Sequence, residues 1–221
     1  EKADVKSHFP SDMRSSETAD LFMVLIMYRL KKNGRAAVIV PDGFLFGADN
    51  TKIAIKTKLL RDFNLHTIIR LPGSIFAPYT SIATNILFFD NTSAEDAPEG
   101  FSTKETWFYR MDMPEGYKHF SKTKSMKLEH CDPIREWWND RKEIIIADGD
   151  EKSRCYPVKE LIDSDCNFDL CKFPKEDEEI LPPAELLADY FKKRKALDHE
   201  IDKTLAEIQR ILGIEVNVDE L

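Results

Sequence analysis

The sequence predicts an α/β fold, specifically the second half of an open sheet, and two observations carry that prediction. Three short apolar runs, residues 37–40, 67–71 and 83–89, are each bounded by turn residues, as expected of strands buried on both faces. Between the first two runs, residues 51–63 place Ile53, Ile55, Leu59, Leu60 and Phe63 at the spacing of a helix laid against a sheet. The order is therefore strand, helix, strand, long loop, strand. Ligands of such sheets meet the loops at strand ends, so function is expected there.

Each element has its own signals. Residues 1–15 are polar, punctuated only by His8-Phe-Pro10, and read as a loop. Residues 21–30 form a strongly apolar helical segment, with Phe22, Leu25, Ile26 and Arg29 at helical spacing and Leu21, Leu25 and Tyr28 sharing much of that face. Ser15 or Ser16 can cap its start, and Lys31-Lys-Asn-Gly34 suits its negative end and a left-handed stop. A mostly buried helix is expected. The first strand then ends at the turn signal Pro41-Asp-Gly43. Asp49 or Asn50 caps the second helix, Asn64-Leu-His66 leads into the second strand, and Leu71-Pro-Gly73 breaks it. Residues 91–99 are a polar connector, and residues 106–111 have the aromatic and β-branched content of a further strand. A short helix is expected from near Pro133, carrying Trp137 and Trp138, and one more strand and turn within residues 153–161. Residues 184–212 are one long helix. Leu187, Tyr190, Phe191, Arg194, Leu197, Ile201, Leu205, Ile208 and Leu212 recur along it at near-heptad spacing before the stop at Gly213.

Composition narrows the function classes. With 221 residues, 42% hydrophobic content and a net charge of −8, the chain can bury a sizeable core, and its charge gives no support for gripping nucleic acid over the whole surface, which leaves that to a local basic patch or a more basic partner. Cys131, Cys155, Cys166 and Cys171 are scattered without C-x-x-C or clustered histidines, so they read as free thiols and no metal is expected. No apolar stretch is long enough for a membrane span, and the first residues lack the apolar centre of a secretion signal.

The residues themselves show little catalytic chemistry. There is no glycine-rich phosphate loop, nucleophile elbow or metal-spaced ligand set. Asp42 follows a strand end, where an active-site acid would sit, but on the sequence alone a turn carboxylate capping Gly43 and Phe44 accounts for it better. Phe76, Tyr79 and Thr80 lie in the loop between strands, where aromatics either stack on a base or pack back on the sheet. His66 and His119 have no partner at catalytic spacing.

The order of motifs nevertheless carries a resemblance. Glu17-Thr-Ala-Asp-Leu-Phe22 followed by Leu25-Ile-Met27, and then Gly34-Arg-Ala-Ala-Val-Ile-Val-Pro-Asp-Gly43, resemble the modification (M) subunit of type I restriction–modification systems. These subunits are adenine-specific DNA methyltransferases that use S-adenosylmethionine. The similarity continues through Leu71-Pro-Gly-Ser-Ile-Phe76, Tyr79-Thr-Ser-Ile-Ala-Thr-Asn-Ile-Leu-Phe-Phe89, Phe120-Ser-Lys-Thr-Lys124, Glu136-Trp-Trp138, Asn167-Phe-Asp-Leu170 and Leu181-Pro-Pro183.

Several expectations follow from that resemblance. The three strands would be the last three of a seven-strand Rossmann-like methyltransferase sheet, the final one antiparallel. Residues 1–92 would belong to the methyltransferase domain, 93–181 to a small mixed extension, 182–213 to a docking helix and 214–221 to a tail. Asp42, Gly43, Phe76, Tyr79, Thr80 and Thr84 are the positions that would line the cleft for a flipped adenine. Lys118, Lys122, Lys124 and Lys127 could touch phosphates, although a solvated loop explains them as well.

The docking helix would meet the specificity (S) subunit through Leu187, Tyr190, Phe191, Leu197, Ile201, Leu205 and Ile208. Its partners would be the S and restriction (R) subunits and double-stranded DNA, in the cytoplasm. The family's cofactor-binding glycine motif and its catalytic Asn/Asp-Pro-Pro-Phe/Tyr motif do not occur here. A chain opening at Glu1 therefore reads as the C-terminal half of such a subunit, binding no cofactor and inactive alone. A stand-alone assembly module of the same fold is the alternative. The strand at residues 37–40 would have a bare edge, covered by a second copy of the chain or by residues 1–15.

Overall fold

The computed structural model describes residues 2–146, 149–171 and 183–213. The chain divides into two compact units, residues 1–175 and 176–221. The first is built on one six-stranded mixed sheet in the order β1-β3-β2-β4-β6-β5. Its strands are β1 (Arg35–Pro41), β2 (Asn64–Arg70), β3 (Thr84–Asp90), β4 (Glu105–Arg110), β5 (Ile144–Ile146) and β6 (Asp150–Pro157). β3 lies antiparallel between β1 and β2, and β2 pairs in parallel with β4. β6 then runs antiparallel to both β4 and β5. The third of the three apolar runs is thus the antiparallel strand, inserted between the first two. Residues beyond 92 extend the same sheet.

Alternation along β3 explains how the sheet is covered on both faces. Leu87 and Phe89 join the larger core with Val40, Leu65, Ile68 and Phe108, beneath helices α2 (Thr18–Arg29), α4 (Asn50–Asp62) and α6 (Val158–Asp163). Ile86 and Phe88 face the smaller core with Ile69, Leu71, Tyr109 and Trp137, against α5 (Asp132–Asn139). A bulge between Leu65 and Thr67 interrupts β2. Threonine hydroxyls serve the backbone there: Thr103 donates to Phe63 O at 2.7 Å and accepts from Leu65 N at 2.9 Å, while Thr106 donates to Leu65 O at 2.6 Å.

α4 starts as its sequence predicts, with the Asp49 carboxylate accepting from Lys52 N at 3.0 Å. Lys52 is buried among Glu17 (2.6 Å), Asp20 (3.2 Å) and Asp49 (3.4 Å). Burial opposes its charge, but the hydrogen bonds to Glu17 and Asp20 outweigh burial and raise its pKa. This cluster ties α4 to the start of α2.

Three expectations need correction. Residues 2–7 form α1 (Lys2–Ser7) and residues 11–13 a 3-10 turn, rather than a loop. That turn packs against α4 with Met13 buried, so residues 11–13 do not take the place expected for them along the edge of β1. β1 ends the strand order, with Ile39 53% exposed. α2 is also less buried than expected. Met23, Val24, Met27 and Asp20 face inward, whereas Phe22, Leu25 and Tyr28 are exposed. Residues 21–28 are apolar all round, so periodicity could not choose the buried face.

The second unit contains α7 (Pro183–Leu212), followed by Gly213 with φ +64°. Leu187, Tyr190, Phe191, Leu197, Ile201, Leu205 and Ile208 are all exposed along it. Pro182 and the tail from residue 214 lie outside the described residues. No helix among the described residues is long and apolar enough to cross a membrane.

Candidate target-base cleft

Because β1, β2 and β4 are mutually parallel, their carboxyl ends lie on one rim of the sheet. The first β-strand gives way there to the short helix α3 (Asp42–Phe46), held down by Phe44 and Leu45, both fully buried. Its last turn is fixed by Lys56, whose ammonium donates to Leu45 O at 3.0 Å and Gly47 O at 2.8 Å. Burial pulls Lys56 down to a pKa of about 8.

The residue 71–83 loop leaves from β2 on the same rim, and both its ends are pinned. Leu71 N donates to Thr84 O at 3.0 Å, and Asp42 N donates to Ala83 O at 3.1 Å. Inside the loop, Ser74 has φ +60° and the Ala77–Pro78 peptide is cis. Tyr79 N donates to Phe76 O at 2.9 Å, and the Thr80 hydroxyl accepts from Ile82 N at 3.1 Å. The loop carries Tyr79 in the open, 93% exposed, and leaves Phe76 partly exposed at 37%.

At the root of this loop lies a polar network that sequence reasoning missed. Arg70, 2% exposed, donates from Nε to Asn85 Oδ1 at 3.3 Å and from Nη2 to Asp42 Oδ1 at 3.4 Å. It also bonds to Asp169 Oδ1 and to the carbonyl of Cys171. Asn85 Nδ2 donates to Asp42 Oδ1 at 2.5 Å. The guanidinium therefore joins the end of β1, the start of β3 and the segment around Asn167-Phe-Asp-Leu170. Arg110 is its register partner on β4 and is equally buried. It is held by Asp112 at 2.7 Å and by both carboxylate oxygens of Asp150 at 2.9 and 2.6 Å. Those bonds, Asp150 first, raise its pKa. Two buried guanidiniums thus stand side by side, Arg70 bonded to Asp42 and Asp169 and Arg110 to Asp112 and Asp150.

The structure brings Asp42, Gly43 and Thr84 together at the strand ends, with Pro41 and Thr84 in register. Thr84 is buried, and its hydroxyl has no hydrogen-bond partner among the described residues. Phe76, Tyr79 and Thr80 stand on the loop above them in sequence. The basic residues 118–127 lie in the segment that leaves β4 at the same rim, where Phe120 N donates to the Ser74 hydroxyl at 2.8 Å. Within it, Lys124 stacks 4.0 Å from the Tyr117 ring and Lys127 pairs with Glu129 at 3.3 Å.

A Cβ at Gly43 or Gly73 would meet no protein atom within 4 Å, so the space in front of both strand-end glycines is open. No cluster of metal-binding side chains occurs among the described residues. What the rim offers is an acceptor at Asp42, an unpartnered hydroxyl at Thr84 and exposed aromatic surface.

The chain has the architecture of an open α/β sheet with polar side chains gathered at the carboxyl ends of its parallel strands, the class in which ligands meet the rim loops. The chain belongs to the N-6 DNA methylase family, whose pattern it matches over residues 2–180. It is 40% identical over 216 residues to the type I restriction enzyme EcoEI methylase subunit of Escherichia coli, covering 96% of this chain and 41% of that protein. It is 34% identical over 150 residues to the EcoKI methylase subunit of E. coli K12, covering 59% of this chain and 27% of the relative. Among solved structures, a chain of a type I R–M system, determined for its complex assembly and conformational transition, matches with a TM-score of 0.62 at 32% identity. That match covers 96% of this chain and 42% of the other. The EcoKI M protein shares the fold, with a TM-score of 0.55 at 24% identity over 87% of this chain and 44% of that one. This chain therefore spans less than half the length of these relatives.

Proposed function

We propose that this chain supplies the target-base side of the modification subunit of a type I restriction–modification enzyme. That enzyme transfers a methyl group from S-adenosylmethionine to N6 of adenine in DNA, in the cytoplasm. The observation that carries the reading is the 40% identity to a type I methylase subunit along 96% of the chain. The rim geometry supports it. An adenine rotated out of the duplex needs an aromatic face to stack on and polar groups for its edge. Phe76 and Tyr79 offer the first, and Asp42, Thr80 and Thr84 the second, with Gly43 leaving the approach open.

The cofactor half of the chemistry lies elsewhere. The glycine motif and the Asn/Asp-Pro-Pro-Phe/Tyr motif are absent from the 221 residues. In this reading β1, β2 and β3 are the last three strands of a seven-strand sheet, and the part of the subunit bearing those motifs pairs along the free edge of β1. The exposed stripe of α7 docks on the S subunit, with R and duplex DNA as the other partners. Residues 93–181 act as the family-specific extension between them.

The test is methyl transfer from labelled S-adenosylmethionine to adenine in DNA. The chain alone should give none. Adding the motif-bearing N-terminal part of the EcoEI methylase subunit, together with an S subunit, should restore transfer. Turnover by the chain alone would sink the division of labour, and failure of every complemented mixture would favour a non-catalytic assembly module. Alone in solution, the bare edge of β1 and the exposed Phe22, Leu25 and Tyr28 leave room for a second copy, which light scattering would read as a dimer.

A further inference from the structure

We infer that residues 116–127 form a lobe that holds the backbone of duplex DNA and is mechanically joined to the target-base loop; this deepens the function proposed above. In a chain of net charge −8, no carboxylate occurs between Glu115 and Glu129, while that interval carries Lys118, Lys122, Lys124 and Lys127. The segment is not a loose charged loop. Phe120 is 2% exposed and packs tilted against Tyr117 and His130, with ring centroids 5.5 and 5.9 Å away. Lys124 closes the turn from the other side, its ammonium 4.0 Å from the Tyr117 ring and 2.6 Å from Gly116 O. The lobe emerges from the carboxyl end of β4, beside the end of β2, and the bond from Phe120 N to Ser74 Oγ fastens it to the loop that carries Phe76 and Tyr79.

The four lysines are not equivalent. Lys127 is neutralised by Glu129 at 3.3 Å, and Lys124 is used in holding the lobe together. Lys118 and Lys122 are exposed and stand on either side of the buried Phe120. Neither has an ion-pair partner among the described residues, so these two are placed to meet phosphates, which position a protein on a duplex without reading its sequence. A backbone held there would present the neighbouring bases to the loop joined through Ser74.

Binding of the full chain to a short fluorescein-labelled duplex, followed by anisotropy across a salt series, tests this. Each phosphate contact adds about 0.9 to the slope of log affinity against log salt, so the double variant K118A/K122A should lower that slope by about 2. K127A should leave it unchanged. All three substituted side chains are exposed, and matching thermal melts would establish that each variant folds. A slope that is the same in the wild type and K118A/K122A, or a loss as large for K127A, overturns the assignment. So does a wild-type chain with no salt-dependent binding. The result is independent of methyl transfer: a slope lost in K118A/K122A without any complemented turnover would refute only the catalytic reading.

Discussion

Replacing Arg70 by methionine isolates what holds the rim together. The variant keeps the length of the side chain but removes a guanidinium that joins Asp42, Asn85, Asp169 and the Cys171 carbonyl. Breaking a buried ion pair from one side typically costs about 3–5 kcal/mol, because the remaining charge stays poorly solvated. Here the side chains of Asp42 and Asp169 are 18% and 31% exposed, so water can recover part of that, and about 3 kcal/mol is expected. Unfolding in urea, read by the fluorescence of Trp107, Trp137 and Trp138, reports this unit alone, since α7 carries no tryptophan. With a slope of about 2 kcal/mol per molar urea, the midpoint should fall by about 1.5 M. Asp169→Asn keeps the acceptor oxygen and removes only charge, so its loss should be nearer about 1 kcal/mol. The double variant should show a coupling of about 1 kcal/mol or more between the two positions. A midpoint for Arg70→Met within about 0.3 M of wild type, or additive losses in the double variant, would refute the network as the element that fixes the rim.

Three further outcomes follow from burial and charge. Lys56 titrates near 8 in the folded chain instead of near 10.5, so between those values the unfolded chain binds more protons and wild-type stability must rise with pH. Relative to Lys56→Met, the wild type should gain up to about 1.4 kcal/mol per pH unit across that window; parallel stability profiles would exclude it. Cys166 and Cys171 are buried, and burial pushes Cys155 and Cys171 up to about 12. Cys131 should therefore react first with a thiol reagent in the native chain, as mass mapping of early adducts would establish. Tyr79→Ala should leave unfolding within about 0.5 kcal/mol of wild type, given the exposure of that ring, yet abolish most of the complemented methyl transfer. A destabilised variant would mean that the ring packs against the domain.

The parts of the fold legible in the sequence were those in which one physical signal acts alone. Residues 67–71 and 83–89 have to be strands because apolar runs so short, closed by proline or asparagine, cannot bury themselves any other way. Asp49 announces α4 because a carboxylate there satisfies free backbone donors. β5 gave no such sign, and β6 only part of one. A strand is expected within residues 153–161, but Asp150-Glu-Lys152 reads as polar loop, and it joins the strand because β4 and β5 offer β6 edges to pair with. α2 failed for the opposite reason, having too much apolar surface for its sequence to say which part is covered.

The rim shows a third kind of limit. Arg70 sits inside an apolar run, and a charge in that position is itself a signal that a partner must exist, since an unpaired guanidinium there would not tolerate burial. Its carboxylates are 28 and 99 residues away in sequence, so the need was visible and the answer was not. The same holds for the residue 71–83 loop. Tyr79 could be named from its sequence context, but that it stands clear of the sheet depends on bonds at both loop ends, Leu71 to Thr84 and Asp42 to Ala83. Those bonds in turn depend on β3 lying between β1 and β2. An antiparallel strand inserted between two parallel ones places the start of β3 beside the ends of both neighbours, and this is why Asp42, Arg70 and Asn85 meet at all.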